Sequence, residues 1–578
     1  MSRIHLGVHC SLQPDGTLPA DGNVAISVDG RPIFAIAEER VSRRKYDGDF
    51  RQSLAYALQR TGIAASDVDL VGVSTFSRWV DAPDSDFDDI RAMVRASLGV
   101  DVPIRIARSH HEIHAWAAVA HCPEPDALVA VFDNEGSILQ RPSGDRASLA
   151  FERTSYYRRR GEDLELIARD HLAPGEVGYG KAYSKVTRYL GFQSYQESGK
   201  TMGLAPLGVR PPHFPDLFSR SEGAATDLAN GPDGLRDLEA WFESHGIALD
   251  PRLVGETIRK RDADLAFWIQ DEIEASVAHR LRGLVSQFAP RAVALSGGVA
   301  LNCVMNAKLR EALPVTDIFV PPSPGDAGLA VGVLAWLERL TQGRIPSFPA
   351  SPYMGGSFTR DETLDSLADL AGEVEAVEIA DPVADCAQRL AQGTIVGWVQ
   401  GASEYGPRSL GARSIVADPR NPWMKEVLNN LVKSREWFRP YAPAVLATEA
   451  HRYFEAPFSS PYMMHTAVCK PACVRDAPAA VHVDGTARLQ TVGETESPAF
   501  FALIKAFERQ TGVPILLNTS FNLGGEPIVE SPADAVRTLL NCPRLDLIYV
   551  GAIRIQRAAG RARGLHPRGR EVADHAPS

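Results

Sequence analysis

The chain opens with stretches in which apolar and polar positions alternate, the pattern of half-buried β-strands. Residues 3–10 alternate in this way and predict a first strand. Two further apolar runs, 24–28 and 33–37, flank the pair Asp29-Gly30, which predicts a β-hairpin closed by a tight turn. Similar patterns predict a strand within 65–76 and a helix over 87–99.

The clearest helical pattern lies in the middle of the chain, where apolar residues recur every three or four positions and predict an amphipathic helix over 266–288. A short strand at 292–295 leads into Ser296–Asn302, which contains Gly297 and Gly298. Glycines between a strand and a helix let the backbone approach a nucleotide, although an ordinary tight turn has the same pattern. The Gly325–Gly328 turn favours nucleotide binding, because both loops would lie at one edge of an α/β sheet.

Four residues that can bind a metal follow these predicted elements. If 109–116 is helical, His110 and His114 lie one turn apart on one face. An apolar run at 127–132 places Asp133 at a strand end, and Asp326 stands at a predicted helix start. Two imidazoles and two carboxylates on rigid elements predict a divalent-metal site.

The second part of the chain follows a segment rich in Pro, Gly and Ser (346–358), which we interpret as a linker or domain edge. A helix near 362–372 and a strand at 394–399 precede loops that gather cationic residues. The cations are Arg408, Arg413, Lys433, Arg435, Arg439 and Arg488. In an acidic protein this concentration predicts recognition of a small anion, since guanidinium groups match phosphate oxygens. The alternative is that several pair with Glu404, Glu426 and Glu436 as ordinary salt bridges.

One further cation, Lys200, is flanked by Gly199 and Gly203. A lysine between glycines can bind phosphate oxygens, but the spacing is not that of a P-loop. A glycine-rich turn with a solvated lysine is the simpler interpretation.

Length and composition restrict the class of protein. A chain of 578 residues predicts two large domains or three smaller ones. The net charge of −11 argues against a general nucleic-acid coat, and no apolar run approaches the ~18 residues of a membrane span. The start of the chain lacks the basic and apolar regions of a signal peptide.

Seven scattered cysteines favour reduced thiols and a cytoplasmic location. His465, Cys469 and Cys473 could form a second metal site, but Pro471 makes ordinary packing the preferred interpretation.

Eight segments, in family order over nearly the whole chain, resemble the NodU/CmcH carbamoyltransferase family. They are HHEIHA (110–115), GKTMGLAP (199–206), SGGVALN (296–302), PGDAG (324–328), EYGPRSLGARSI (404–415), VKSREWFRPYAP (432–443), GTARLQTV (485–492) and LNTSFNLGGEPIV (517–529). No single segment would identify the family, but together they do.

The resemblance implies an actin-like ATPase-type α/β domain over 1–345, similar to the universal tRNA threonylcarbamoyl transferase, and a YrdC-like α/β domain over 346–556. The segment 557–578 is rich in Arg, Gly and Ala and lacks periodicity, which predicts a disordered tail. Such enzymes form carbamoyl-adenylate from carbamoyl phosphate and ATP in the YrdC-like domain. They then transfer the carbamoyl group to a hydroxyl in the first domain, which implies a small-molecule acceptor such as a sugar or an antibiotic-like natural product.

The resemblance also implies roles for individual residues. The expected catalytic set is Lys433, Arg435, Arg488, Ser520 and Asn522. The expected co-substrate-binding set is Lys200, Gly297, Gly298, Asn302, Arg408, Arg413, Arg439 and Asn518. His110, His114, Asp133 and Asp326 match the metal ligands, and iron is the expected ion. The oligomeric state is left open, with a homodimer as one option.

Three departures from the family pattern indicate a different acceptor or a weakened transferase. Asp21-Gly22-Asn23 replaces the usual His-Asp-Ala/Ser-Ser, and Asn134–Ser137 replaces Gly-x-Gly-Glu after Asp133. The first strand is also followed by a long loop, Ser11–Gly22. The alternative functions are carbamoyl-adenylate formation for tRNA modification, and a nucleotide-binding regulator without transfer. The first is disfavoured by the acidic charge, and the second by the Lys433/Arg435 and Ser520/Asn522 pairs.

Overall fold

The computed structural model describes residues 2–558 except 14–15, 77, 140–150, 171–177, 194, 219–237, 347, 350, 371 and 456–457. The described residues form three β-sheets with helices packed between and around them. None of the helices in these ranges is long and apolar enough to cross a membrane.

The first sheet is built around a strand that begins at Ile4. Its strands are β1 (Ile4–His9), β2 (Asn23–Val28), β3 (Arg31–Ala37), β4 (Leu70–Ser74) and β5 (Ile104–Ile106), and its helices are α1 (Glu38–Ser42), α2 (Arg51–Thr61) and α3 (Asp88–Leu98). The strand order is β3-β2-β1-β4-β5. The hairpin strands are antiparallel, while β4 and β5 run parallel to β1.

The second sheet repeats this topology. The next elements are α4 (His110–His121), β6 (Asp126–Phe132), β7 (Thr154–Arg160), β8 (Asp163–Asp170), α5 (Tyr179–Tyr189), α6 (Ser198–Leu204), α7 (Leu238–Ser244), α8 (Lys260–Phe288), β9 (Ala292–Ser296), α9 (Cys303–Ala312), β10 (Asp317–Phe319) and α10 (Leu329–Gln342). The order β8-β7-β6-β9-β10 has the same antiparallel hairpin and the same two parallel strands as the first sheet. This duplication is the actin-like fold, as predicted.

Helices α4 and α10 pack against each other between the two sheets. Their close approach depends on glycine: a Cβ on Gly332 of α10 would lie 2.4 Å from the carbonyl oxygen of Ile113 in α4. A Cβ on Gly7 of β1 would lie 2.3 Å from the carbonyl oxygen of Ala330. Since Cβ atoms do not approach backbone this closely, Gly332 allows the close packing of α10 on α4, which carries His110 and His114, and Gly7 allows the close packing of β1 on α10.

The third sheet belongs to the second part of the chain. Its elements are α11 (Arg360–Asp365), β11 (Val374–Glu378), α12 (Pro382–Ala391), β12 (Val396–Val399), β13 (Arg413–Ala417), α13 (Met424–Val427), β14 (Ala442–Leu446), α14 (Ala450–Tyr453), β15 (His465–Val468), α15 (Pro471–Asp476), β16 (Thr486–Val492), α16 (Pro498–Thr511), β17 (Ile515–Ser520), α17 (Pro532–Asn541), β18 (Leu547–Val550) and β19 (Ile553–Arg557). The order is β11-β19-β18-β12-β13-β17-β14-β16-β15, with parallel and antiparallel pairs. The sheet has its own hydrophobic core, drawn from residues 367–555. It is an α/β unit with a mixed sheet.

The structure corrects two details of the sequence-based prediction. Lys200 lies in the short helix α6 rather than in a turn. Arg557 ends β19 and so is not part of a tail, while residues 559–578 lie outside the described residues. The segment 346–358 is bonded to both parts of the chain, since Phe348 N donates to Ala120 O, and Gly355 N donates to Ser403 O.

Candidate functional site

The start of α4 brings the two predicted histidine ligands together. Ser109 precedes the helix, and its side chain accepts a hydrogen bond of 3.0 Å from Glu112 N, as an N-cap should. His110 and His114 therefore lie one turn apart, with ring centroids 4.7 Å apart. Both imidazoles are fully buried, so they face the interior of the protein rather than solvent.

The two aspartates approach these rings from separate elements. Asp133 follows β6, and Asp326 lies three residues before α10. The Nε2 atoms of His110 and His114 are 3.1 Å apart, and each lies 3.1–3.4 Å from Asp133 Oδ2 and Asp326 Oδ1. All four side chains therefore converge on one point.

This spacing suits a metal ion. Atoms bonded to one ion at ~2.1 Å lie roughly 3.0 Å apart in octahedral geometry and roughly 3.4 Å apart in tetrahedral geometry, and the observed separations match that range. Two imidazole nitrogens and two carboxylate oxygens form a donor set typical of Fe²⁺, Mn²⁺ or Zn²⁺. The four residues fit a divalent first-row ion, and the identity of that ion stays a prediction.

The charges of these four residues compensate one another. Burial alone disfavours every ionised form, but the aspartates raise the pKa of both His110 and His114. The imidazoles in turn lower the pKa of Asp133 and Asp326, so that both remain carboxylates at neutral pH. A cation that binds here would displace protons from the imidazoles.

Sequence reasoning missed two residues that position these ligands. Glu152 is fully buried and accepts hydrogen bonds from the backbone of His111 and Ser137 and from the hydroxyl of Ser109, so it fixes the start of α4. Asn23 donates to the carbonyl oxygen of Asp326 at 2.8 Å. Neither residue lies near a ligand in sequence, and a local pattern could not have identified them.

The predicted glycine loop lies beside the metal-ligating residues. Gly297 has a φ of +87°, and a Cβ there would lie 2.1 Å from the carbonyl oxygen of Phe132. Its N–H donates to Pro324 O at 2.8 Å, so the two predicted loops are adjacent, and Gly298 N donates to Asp133 Oδ1 at 3.3 Å. Asn302, by contrast, caps α9 through a bond from Met305 N and hydrogen-bonds Gln270.

A second cluster lies where the C-terminal end of β17 contacts the loop that follows α13. Lys433 is only 4% exposed, and its Nζ lies 3.4 Å from Ser520 Oγ and 2.9 Å from Asn522 Oδ1. Nζ also donates to the carbonyl oxygens of both residues, and Ser520 Oγ donates to Asn522 Oδ1 at 2.6 Å. The structure thus brings together the Lys433 and Ser520/Asn522 signatures, which lie 87 to 89 residues apart.

Three arginines complete this cluster. Arg435 lies over the Tyr441 ring at 4.3 Å, while the Nε atoms of Arg408 and Arg488 are buried and make no hydrogen bond. Among the described residues none of these arginines, nor Lys433, forms an ion pair. Burial, together with neighbouring cations, lowers the pKa of Arg408, Arg435, Arg488 and Lys433. Such a concentration of positive charge favours binding of an anion. Below, "the cation cluster" means Arg408, Lys433, Arg435, Arg439 and Arg488.

Among the described residues, the salt-bridge alternative holds for Arg439, and Lys200 also forms ion pairs. Lys200 Nζ lies 2.6 Å from Glu197 and 2.7 Å from Glu436, which links α6 to the second part of the chain. Arg439 lies 3.6 Å from the other oxygen of Glu436. Glu404 instead accepts backbone N–H groups, including those of Leu410 and Ala412.

Two other predicted binding residues have structural partners. Arg413 is fully buried and donates to the carbonyl oxygens of Gly356, Gly401, Ala412 and Glu530. These bonds use four of the five N–H groups of a guanidinium, so the structure favours a role for Arg413 in joining loops. Asn518 is buried in β17 and donates to Ser409 O and Gln490 Oε1.

Comparison with known proteins identifies the family. The family model "Carbamoyltransferase N-terminus" matches residues 106–335, and "Carbamoyltransferase C-terminus" matches 387–557. The nodulation protein NolNO of Sinorhizobium fredii is 35% identical over 590 positions, which cover 96% of this chain and 81% of that protein. The nodulation protein NolO of Bradyrhizobium diazoefficiens is 34% identical, over 78% of this chain and 79% of its own.

A full-length HypF structure in its phosphate- and nucleotide-bound form has a TM-score of 0.35 and 12% identity, over 58% of this chain and 56% of its own. A similarity at that level is too low to support a fold assignment, so the assignment rests on the sheet topology. The two family models, in contrast, cover both parts of the chain that carry the clusters described above. The chain belongs to the carbamoyltransferase family and is a carbamoyltransferase.

Proposed function

We propose that this enzyme is an ATP-dependent O-carbamoyltransferase with a division of labour between its two parts. Residues 346–556 would activate a carbamoyl group, and residues 1–345 would transfer it to a hydroxyl of a small molecule. The observation that carries the proposal is the cation cluster, in which four side chains lack any anionic partner among the described residues. Carbamoyl phosphate and ATP are anions that such a cluster is suited to hold.

The activation step can be written so that its atoms balance. Carbamoyl phosphate reacts with water and loses inorganic phosphate, which leaves carbamate. A carbamate oxygen then attacks the α-phosphorus of ATP, and the bond to the β-phosphate oxygen breaks with release of pyrophosphate. Arg408 and Arg488 would bind phosphate oxygens through their N–H groups, while Lys433 would supply a compact positive charge next to Ser520.

The atoms of the transfer step balance as well. The acceptor hydroxyl attacks the carbamoyl carbon, the bond from that carbon to the adenylate oxygen breaks, AMP leaves, and the hydroxyl proton passes to water. His110, His114, Asp133 and Asp326 would hold a divalent ion, Fe²⁺ in our proposal. That ion would supply electrostatic stabilisation to the phosphate of the adenylate.

The acceptor is proposed to be a small metabolite alcohol, such as a sugar or a natural-product scaffold. The segment 134–137 that departs from the family pattern follows Asp133 directly, and its Glu135 pairs with Lys181 at 2.8 Å and Arg153 at 3.3 Å. A fixed loop of different composition beside the transfer site is suited to a different acceptor. Mass spectrometry of candidate alcohols after incubation with the enzyme, ATP and carbamoyl phosphate would identify the carbamoylated product.

The activation half is tested without any acceptor. Wild-type enzyme with ATP and carbamoyl phosphate should release phosphate and pyrophosphate in equal amounts, and Lys433→Ala should reduce pyrophosphate release by a factor of about 10³. Lys505→Ala is the matched control, because Lys505 is half exposed on α16 and pairs only with Glu508 among the described residues. Pyrophosphate release by Lys433→Ala at the wild-type rate would rule out the proposed role of the cation cluster.

A further inference from the structure

A third histidine, His9, reaches the metal-ligating residues from the first sheet. His5, Gly7 and His9 lie on one face of β1, because side chains alternate along a strand. His5 Nδ1 lies 2.8 Å from Glu338 Oε1 of α10, and Gly7 abuts Ala330 at the start of that helix. His9 therefore lies one step further along α10, toward Asp326.

The ring of His9 confirms this placement. Its centroid lies 5.8 Å from that of His110, and Asp326 is its strongest charged neighbour. The nitrogens of His9 do not belong to the set of ligand atoms that lie within 4.8 Å of one another. His9 is thus close to an ion held by His110 and Asp326, yet too far to be one of its four protein ligands.

His9 also has an unused nitrogen. The side chain is completely buried, Nδ1 lies 3.4 Å from Ser74 Oγ, and Nε2 is buried without a hydrogen-bond partner among the described residues. A neutral imidazole has one donor and one acceptor nitrogen, so Nε2 can take part in a further hydrogen bond. A buried polar atom left without a partner is costly, and such atoms in native structures often mark a missing water or ion.

The neighbouring strand, β2, also contacts Asp326. Asn23 is the partner of His9 in the β1–β2 register, and its side chain bonds the carbonyl oxygen of Asp326 and the N–H of Ala330. Two adjacent positions of the first sheet are therefore directed at Asp326, although that sheet supplies none of the four ligands.

We propose that His9 is a positioning residue of the metal site, whose Nε2 hydrogen-bonds a small oxygen ligand of the ion, such as water or a phosphate oxygen. This inference rests on the proposed metal site. Four protein ligands leave further positions open on a six-coordinate ion, and groups that orient the remaining ligands commonly change metal affinity by 10- to 100-fold.

The test uses the full-length, metal-stripped protein and Mn²⁺ alone. Titration calorimetry should show that His9→Leu weakens Mn²⁺ binding about 10- to 100-fold, and that His9→Gln, which keeps a polar group, restores part of the affinity. His5→Gln is the control, because His5 lies on the same strand face but its Nδ1 faces Glu338 Oε1 at 2.8 Å rather than His110. The electron paramagnetic resonance spectrum of bound Mn²⁺ should change in His9→Leu and stay constant in His5→Gln.

Thermal unfolding separates this role from a structural one. Since Nε2 has no partner without the ion, metal-free His9→Leu should unfold at or above the wild-type temperature, whereas its stabilisation by Mn²⁺ should be smaller. Wild-type Mn²⁺ affinity in His9→Leu, with an unchanged spectrum, would overturn the inference while leaving the metal site intact. Failure of the wild-type protein itself to bind Mn²⁺ would instead overturn the metal site and, with it, the role of His9.

Discussion

The two clusters of this enzyme handle buried charge in opposite ways. At the metal site, the carboxylates of Asp133 and Asp326 lie within 3.4 Å of the imidazoles, so the charges compensate within the site. In the cation cluster, Lys433, Arg408 and Arg488 have no anionic partner among the described residues. The charges of the first arrangement are balanced within the protein, whereas the positive charge of the second is available to the anion that we propose it binds. Loss of a charged residue should therefore affect function and stability differently in the two clusters.

The largest effect on function without loss of stability is expected for Arg488→Met. Removal of one guanidinium from the anion site should lower kcat/KM for pyrophosphate formation by a factor of about 10² to 10³. The free energy of unfolding should stay the same or rise by about 1 kcal/mol, because the change removes a partly desolvated charge from a group of like charges. Kinetics and urea unfolding on the same preparation test this, and a large loss of stability would show that the cluster is a folding element.

Arg413→Met should give the opposite result. Its guanidinium is bonded to four carbonyl oxygens that would lose their donors, so the free energy of unfolding should fall by about 2 to 4 kcal/mol. At a temperature where the variant is folded, its KM for ATP should stay within a few-fold of the wild-type value. A strong rise in KM with unchanged stability would restore Arg413 to the binding set.

The ionisation of Lys433 provides a test by pH. Burial and Arg435 lower its pKa in the folded protein. Between this lowered pKa and the higher pKa of Lys433 in the unfolded chain, the unfolded chain binds more protons, so the free energy of unfolding should rise with pH. A bound anion favours the ammonium form, so pyrophosphate should bind with proton uptake and more weakly as the pH rises. Calorimetry in buffers of different ionisation enthalpy measures the uptake, and Lys433→Met should abolish it. Equal uptake by that variant would assign the proton to another group.

The smallest effect on stability and activity is expected for a substitution at the contact between the two parts of the chain. Lys200 bonds Glu197 and Glu436, but all three are partly exposed, so Lys200→Met should cost at most about 1 kcal/mol of stability. Pyrophosphate release should be unchanged, and carbamoyl transfer should fall no more than a few-fold. A loss of pyrophosphate release as large as that of Arg488→Met would place Lys200 in the activation site.

Parts of this arrangement could be predicted from sequence because they depend on local patterns. Histidines four residues apart after a capping serine predict neighbouring rings, and a strand end or helix start places Asp133 and Asp326. The partners of Arg413 and Lys200 could not be predicted, since Gly356, Glu530 and Glu436 become neighbours only when distant segments pack. His9 has no local signal, because its position depends on how β1 docks against α10.

The separation of activation from transfer is the central claim, and His114→Ala tests it most directly. With ATP, carbamoyl phosphate and an identified acceptor, this variant should release pyrophosphate at close to the wild-type rate and form almost no carbamoylated product. Parallel loss of pyrophosphate release and product in His114→Ala would contradict the account, because the metal site would then be required for activation itself.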